Sequence, residues 1–260
     1  MPLPPVGGEG SGVGEVSNML KLHGEPPTHL TLPPLEAAGV RHAFTTRHHA
    51  REVIAARTSP ALQALGIDGA AVRFARQVHG TASLVVDGLP PGLVGDADAL
   101  ITSRPGTPLA VFTADCLPVV LVEPERGVLA VAHAGWRGTV AGLLGQLVAT
   151  LAERFGVRSE RVRAAIGPSI GPCCYEVDEP VIGPLRTRFP ADWARWTTGA
   201  GPGKWRLDLW RANADQLVAA GVPAGAIVNP RLCTGCRRDL FFSYRKEGPG
   251  GRLTALALLD

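Results

Sequence analysis

Three side chains able to ligate a borderline-soft metal stand where apolar segments give way to loops: His79 in RQVHG, Cys116 in TADCLP and His133 in AVAHAGWRG. One thiolate and two imidazoles suit Zn²⁺, with copper as the second option, and three protein ligands leave the fourth tetrahedral position for water. That is the ligand count of a catalytic site. No short motif joins the three, so spacing alone also fits strand-end surface histidines and a small core cysteine. Asp115 shifts the balance. It interrupts an apolar run, where an unpaired carboxylate costs several kcal/mol, so it requires a cationic, metal or hydrogen-bonding neighbour.

The loop HAGWRG places Gly135, Trp136, Arg137 and Gly138 directly after His133 and ahead of a helical pattern. Backbone N–H groups at a helix start and a guanidinium can face one anion together, and phosphate is the natural one. An ordinary strand-to-helix turn with an exposed arginine fits the same residues. Arg47, at the end of VRHAFTTR, and Arg245, in FFSYRKEG, are further candidates for clamping phosphate or carboxylate, although single arginines are usually solvated surface charge. Trp136 is placed to stack on a base. Four cysteines remain, Cys173 and Cys174 in GPCCYE and Cys233 and Cys236 in CTGC. A four-thiolate zinc site is one reading, but adjacent cysteines seldom both ligate one ion and no second C-x-x-C is present. Packed or partly exposed thiols are the better reading.

Elements able to position these groups can be read from the patterning. Strands are expected over Val40–Arg47, Val72–Val78, Ser83–Val86, Asp96–Thr102 and Arg163–Ile166, and over Ile227–Asn229, Phe241–Tyr244 and Leu253–Leu259. Leu109–Phe112, Pro118–Val122 and Val128–His133 are apolar throughout, as strands covered on both faces are. Helices are expected over Ser59–Leu65 with Ser59 as cap, over Thr139–Phe155 with Thr139 as cap, and over Pro180–Phe189. A fourth spans Leu207–Ala220, capped by Asp208. Residues 1–40 hold 7 Gly and 7 Pro, and the first 32 lack a sustained hydrophobic period, so 1–32 reads as a flexible leader before a single domain over 33–260.

Composition excludes several classes. A 260-residue chain that is 45% hydrophobic buries a full core, and a net charge of +3 is too small to supply the field a nucleic-acid binder needs. The longest apolar stretch, 109–122, is broken by Asp115 and falls short of the roughly 18 residues of a membrane span. Met1 is not followed by a basic and then apolar signal segment, and five cysteines, an odd number, argue against a disulfide framework. The expectation is a soluble cytoplasmic protein, monomeric, without a membrane or nucleic-acid partner.

RQVHG, GDADALIT, TADCLPVVL, AVAHAGWRGTVAGL, AIGPSIGPCCYEV and FFSYRKEG followed by GR together resemble the YfiH-like laccase-domain family, over roughly residues 40–260. The resemblance implies an α+β fold, a four-layer α/β/β/α sandwich of mixed sheets with helices outside. It also implies a metal held by His79, Cys116 and His133. The activity it implies is zinc-dependent purine nucleoside metabolism: phosphorolysis of adenosine, inosine and methylthioadenosine to free base and ribose 1-phosphate, plus deamination of adenosine. Arg47, Gly135, Trp136, Arg137 and Arg245 would then bind nucleoside and phosphate, with Asp115 as a proton shuttle beside the ligands. Two alternatives accompany it: a peptidoglycan-editing amidase acting on UDP-MurNAc-L-Ser-type precursors, and a copper-dependent phenol oxidase, for which seven histidines are few. One departure from the family pattern is HHAREV after Arg47, where a Gly-Gly-Val-Ser segment is usual.

Overall fold

The computed structural model describes residues 19–48 and 59–260. Two mixed β-sheets lie face to face. The first runs in the order Lys21–His23, His29–Thr31, Val40–Thr45, Leu253–Leu259, Leu109–Thr113, Arg73–Arg76, Gly92–Asp96. The second runs Ile227–Val228, Arg163–Ile166, Leu117–Glu123, Val128–Ala134, Ala99–Thr102, Ser83–Val85. A smaller three-stranded sheet joins Glu176–Val177, Lys204–Leu207 and Thr197–Gly201.

The unbroken apolar strands are explained by burial on two sides. Leu117, Val119 and Leu121, with Ala130 and Ala132, pack on the helix Leu143–Phe155 through Leu144, Leu147 and Leu151. The alternate residues Val120, Val122, Leu129 and Val131 meet Phe44, Leu109, Val111 and Ala255 of the first sheet. Period-two alternation therefore survives, but both faces are apolar because both are covered. On the far side of the first sheet the short helix Pro60–Leu65 packs Ala61 and Leu62 on Ala43, Ala110 and Leu256. The result is the expected α/β/β/α layering, an α+β arrangement in which one helical layer is slight. No described helix is long and apolar enough to cross a membrane.

Several expectations differ from the structure, and the three-stranded sheet of Glu176–Val177, Lys204–Leu207 and Thr197–Gly201 was not anticipated. Residues 21–31, placed in the leader, contribute two strands that pair with each other and with Val40–Thr45, and Leu30 is fully buried. Composition over a 40-residue window had averaged this hairpin with its Gly- and Pro-rich surroundings. The helix expected over 139–155 is two, Trp136–Ala141 and Leu143–Phe155, because Gly142 takes a left-handed φ of 81° between them. Gly135, not Thr139, is the N-cap, and Thr139 instead bonds to Gly135 O and Asn213. Phe241–Tyr244 is not a strand: Phe241 N bonds to Arg237 O and Glu247 N to Ser243 O, local turns that lead into a helical turn at Tyr244–Glu247. Finally, an unanticipated strand, Gly92–Asp96, precedes the one at Ala99–Thr102. Of HHAREV only His48 lies among the described residues, with Nε2 2.9 Å from Asp239 O.

Candidate metal centre

Three connections cross from the first sheet to the second at one end of the sandwich, and each carries a polar residue of the site. His79 follows Arg73–Arg76 and precedes Ser83–Val85; Asp98 sits between Gly92–Asp96 and Ala99–Thr102; Cys116 sits between Leu109–Thr113 and Leu117–Glu123. His133 comes from the end of Val128–Ala134, in register opposite Pro118. The three ligand atoms offered by His79, Cys116 and His133 lie within 4.8 Å of one another. The two imidazole rings meet edge to face, centroids 4.8 Å apart. His133 is buried, Cys116 half-buried and His79 exposed, so the group opens to solvent on one side.

Sharp turns make this convergence possible. His79 and Asp115 both have positive φ, 60° and 85°, a conformation that costs a non-glycine residue on the order of 1–3 kcal/mol and persists only where neighbours over-determine it. Asp98 supplies the restraint at the first turn. Its buried carboxylate accepts the N–H groups of Val78 (3.2 Å), His79 (3.0 Å) and Gly80 (2.7 Å). At the second turn, Asp115 Oδ1 accepts from Thr234 Oγ1 at 2.6 Å and Oδ2 from Arg245 N at 2.7 Å. The buried charge of Asp115 thus finds hydrogen-bond donors, one of the partners its position demanded.

Asp98 does a second job. Its Oδ1 accepts from His133 Nδ1 at 2.8 Å, which fixes the tautomer and leaves Nε2 free to ligate. Burial opposes the charge on Asp98, but the bonds from His133 and from Gly80 and Val78 hold its carboxyl below the usual range. Burial likewise opposes charge on His133, yet its bonds to Asp98 and Cys116 raise it to about 9. Burial would push Cys116 up, and the imidazoles of His133 and His79 instead bring it down to about 7. Both shifts favour a thiolate beside an imidazolium. The same donors, a readily ionised thiol and two imidazoles with one held by a carboxylate, are those of a borderline-soft divalent ion with an open position. Sequence reading had not singled out Asp98, although the cue was the one used for Asp115: a carboxylate inside an apolar strand region, DADALIT.

The other expected residues divide. Gly135 touches the centre: a Cβ there would lie 3.0 Å from Cys116 Sγ and 3.2 Å from His79 Cδ2. Trp136 is half-buried and Arg137 exposed, its guanidinium 4.5 Å over the Trp136 ring. Among the described residues no carboxylate pairs with Arg137. Arg245 lies over the buried Tyr175, 5.1 Å from the ring centroid, and bonds to Glu176 O. Burial, the Cys116 charge and Asp115 together push the Tyr175 hydroxyl up, against the opposing pull of Arg245 and Arg137, which puts all five groups in one neighbourhood. Arg47 is engaged elsewhere. It pairs with Glu247 Oε1 at 3.1 Å, bonds to Arg238 O and stacks over Phe242.

Comparison with known proteins gives relatives of the same size and shape. The chain is 42% identical over 163 residues to a purine nucleoside phosphorylase, YlmD, of Geobacillus stearothermophilus, a match covering 62% of this chain and 60% of that protein. The match thus spans less than two thirds of that relative. An adenosine deaminase of an unknown prokaryotic organism is 38% identical over 76% of this chain and 78% of its own. A purine nucleoside phosphorylase of Streptomyces coelicolor is 38% identical over 80% and 83%. Among solved structures, YfiH of Bacillus licheniformis superposes with a TM-score of 0.86 at 32% identity, over 94% of this chain and all of that one. YlmD of Geobacillus stearothermophilus follows at 0.84 and 32%, over 92% and 98%. The profile described as multi-copper polyphenol oxidoreductase laccase matches residues 40–260, a span that includes His79, Cys116 and His133, and the chain belongs to that family.

Proposed function

We propose that this protein is a zinc enzyme of purine nucleoside metabolism, cleaving adenosine, inosine and methylthioadenosine with phosphate and deaminating adenosine. The observation that carries the reading is the open His79–Cys116–His133 group with His133 oriented by Asp98. The names of three relatives, two phosphorylases and one deaminase, point to the substrate class. Bound to these three ligands, zinc supplies Lewis acidity on the solvent-open side.

The chain's own groups do the rest. The exposed guanidinium of Arg137, unpaired among the described residues, holds phosphate oxygens, and the Trp136 ring beneath it keeps that fork in place. In phosphorolysis an oxygen of hydrogen phosphate forms the new bond to C1′ while the C1′–N9 bond breaks, and the purine leaves with the proton that the phosphate gives up. Arg137 offsets phosphate charge so that it can approach C1′. We assign Asp115 to positioning instead of shuttling, because both of its oxygens already hold Thr234 and Arg245 N. Arg47 would serve phosphate only after leaving Glu247.

The test is mass spectrometry of products from zinc-loaded protein given each nucleoside with and without phosphate. Free base plus ribose 1-phosphate, and inosine from adenosine, are expected; loaded protein that releases neither ends the reading. One observation favours a second reading. Cys116 lies within reach of His133 and ionises more readily, which also suits a thiolate nucleophile, with protonated His133 as the acid for the leaving amine, where base catalysis by His133 was expected. Serine release from UDP-MurNAc-L-Ser, without nucleoside turnover, would establish that amidase instead.

A further inference from the structure

The four cysteines outside the centre come together. Cys173 and Cys174 lie in the turn that follows Gly171, and Cys233 and Cys236 in the CTGC loop some 60 residues later; their four sulfurs lie within 4.8 Å of one another. Cys236 Sγ is 3.3 Å from Cys173 Sγ and 3.5 Å from Cys174 Sγ. A tetrahedron of sulfurs around zinc, with bonds of about 2.3 Å, has edges of about 3.8 Å, in the middle of this range. A disulfide serves the arrangement less well, since Cys236 stands almost equally close to two partners and can pair with only one.

We propose that Cys173, Cys174, Cys233 and Cys236 bind a second, structural zinc ion as four thiolates. The objection from adjacency fails on local geometry. Neighbours on a strand point to opposite faces, but Cys173 and Cys174 sit in a turn, so both sulfurs reach the same side. The two segments are already docked by backbone: Ser169 N bonds to Leu232 O at 3.1 Å, Thr234 N to Ser169 O at 3.1 Å, and Gly171 N donates to Cys233 Sγ at 3.2 Å. Gly235 is needed for that approach, because a Cβ there would lie 2.9 Å from Cys174 Cβ. Cations are at hand for the excess negative charge of four thiolates. Arg206 bonds to Cys173 O at 3.0 Å, and Lys246 Cε would lie 3.6 Å from a Cβ on Gly235.

This site would support the first. Thr234, between Cys233 and Gly235, is the residue that bonds Asp115, next to Cys116, while Tyr175 follows Cys174. Zinc here locks the loop that holds one ligand's turn.

The test counts metal in protein purified under reducing, anaerobic conditions, so its outcome is separate from any nucleoside turnover. Two equivalents are expected in the wild type, one in Cys116→Ala, and one in Cys173→Ser/Cys236→Ser, which keeps the other ion. Should that double variant fail to fold, cobalt added to metal-free Cys116→Ala reads the site directly. Thiolate-to-cobalt charge transfer with strong tetrahedral d–d absorption is expected, and zinc should slow iodoacetamide alkylation of the four remaining thiols. A single equivalent in the wild type that Cys116→Ala abolishes would overturn the proposal. So would a Cys173–Cys236 or Cys174–Cys236 disulfide that survives the reducing purification, or alkylation unaffected by zinc.

Discussion

His133 has only one nitrogen available to ligate, because Asp98 occupies the other, and the two residues act as a unit. Replacing Asp98 by Asn keeps the shape but removes the charge and offers one acceptor oxygen in place of two. Asp98→Asn should weaken zinc binding about 10- to 100-fold, read by competition with a chromophoric chelator; unchanged affinity would mean that the carboxylate does not orient the ligand. Metal uptake should also depend on pH in a defined direction. Cys116 must be thiolate and His133 neutral to ligate, and without metal they titrate at about 7 and about 9. Affinity should therefore fall as pH drops below about 9, more steeply below about 7, with protons released on binding. Calorimetry in buffers of different ionisation enthalpy measures that release; none at pH 8 contradicts the assignment. Asp98 was legible in principle, as an acid among apolar residues, but only its geometry tells which histidine it serves.

At the scale of elements, the chemistry sits on tight turns, and one glycine leaves room for the side chains they bring together. Gly135 precedes the helix Trp136–Ala141 with an ordinary φ of −79°, so its role is space and not backbone freedom. Gly135→Ala would press on Cys116 Sγ and His79 Cδ2 and should lower zinc affinity with little loss of thermal stability in the metal-free protein, which paired titrations and melts can compare. The cap at Ser59 offers the opposite case. Its hydroxyl accepts from Leu62 N on the helix far from the centre, so Ser59→Ala should cost about 1 kcal/mol in denaturant titration and leave metal affinity untouched. The caps at Ser59 and Asp208 were visible in the sequence because the hydrogen bond is local. Thr139 had the same local look and is no cap, because the chain folds Asn213 against it from 74 residues away.

At the scale of the molecule, two sheets are locked by a few close contacts. Gly167, just past the strand Arg163–Ile166, faces Phe44 of the other sheet, and a Cβ there would fall 2.3 Å from the ring. Gly167→Ala should destabilise the fold by about 1–3 kcal/mol through overpacking, seen as a lower Tm; an unchanged Tm would mean the sheets can slide apart at that end.

Residues 109–134 announced in one dimension that they would be sandwiched, since three apolar runs with no polar face need cover on both sides. His79, Cys116 and His133 could be nominated from their types, and the hairpin at 21–31 could not be separated from the composition around it. The capacity to ligate is a property of side-chain type, and strand burial one of short-range pattern, so the sequence by itself determined the candidates and the burial. Which residues share a site depends on three crossovers meeting at one end of the sandwich, contacts between segments up to about 130 residues apart. For that reason only the tertiary structure decided that Asp98 belongs to the centre, that Arg47 is held by Glu247, and that four scattered cysteines form one cluster.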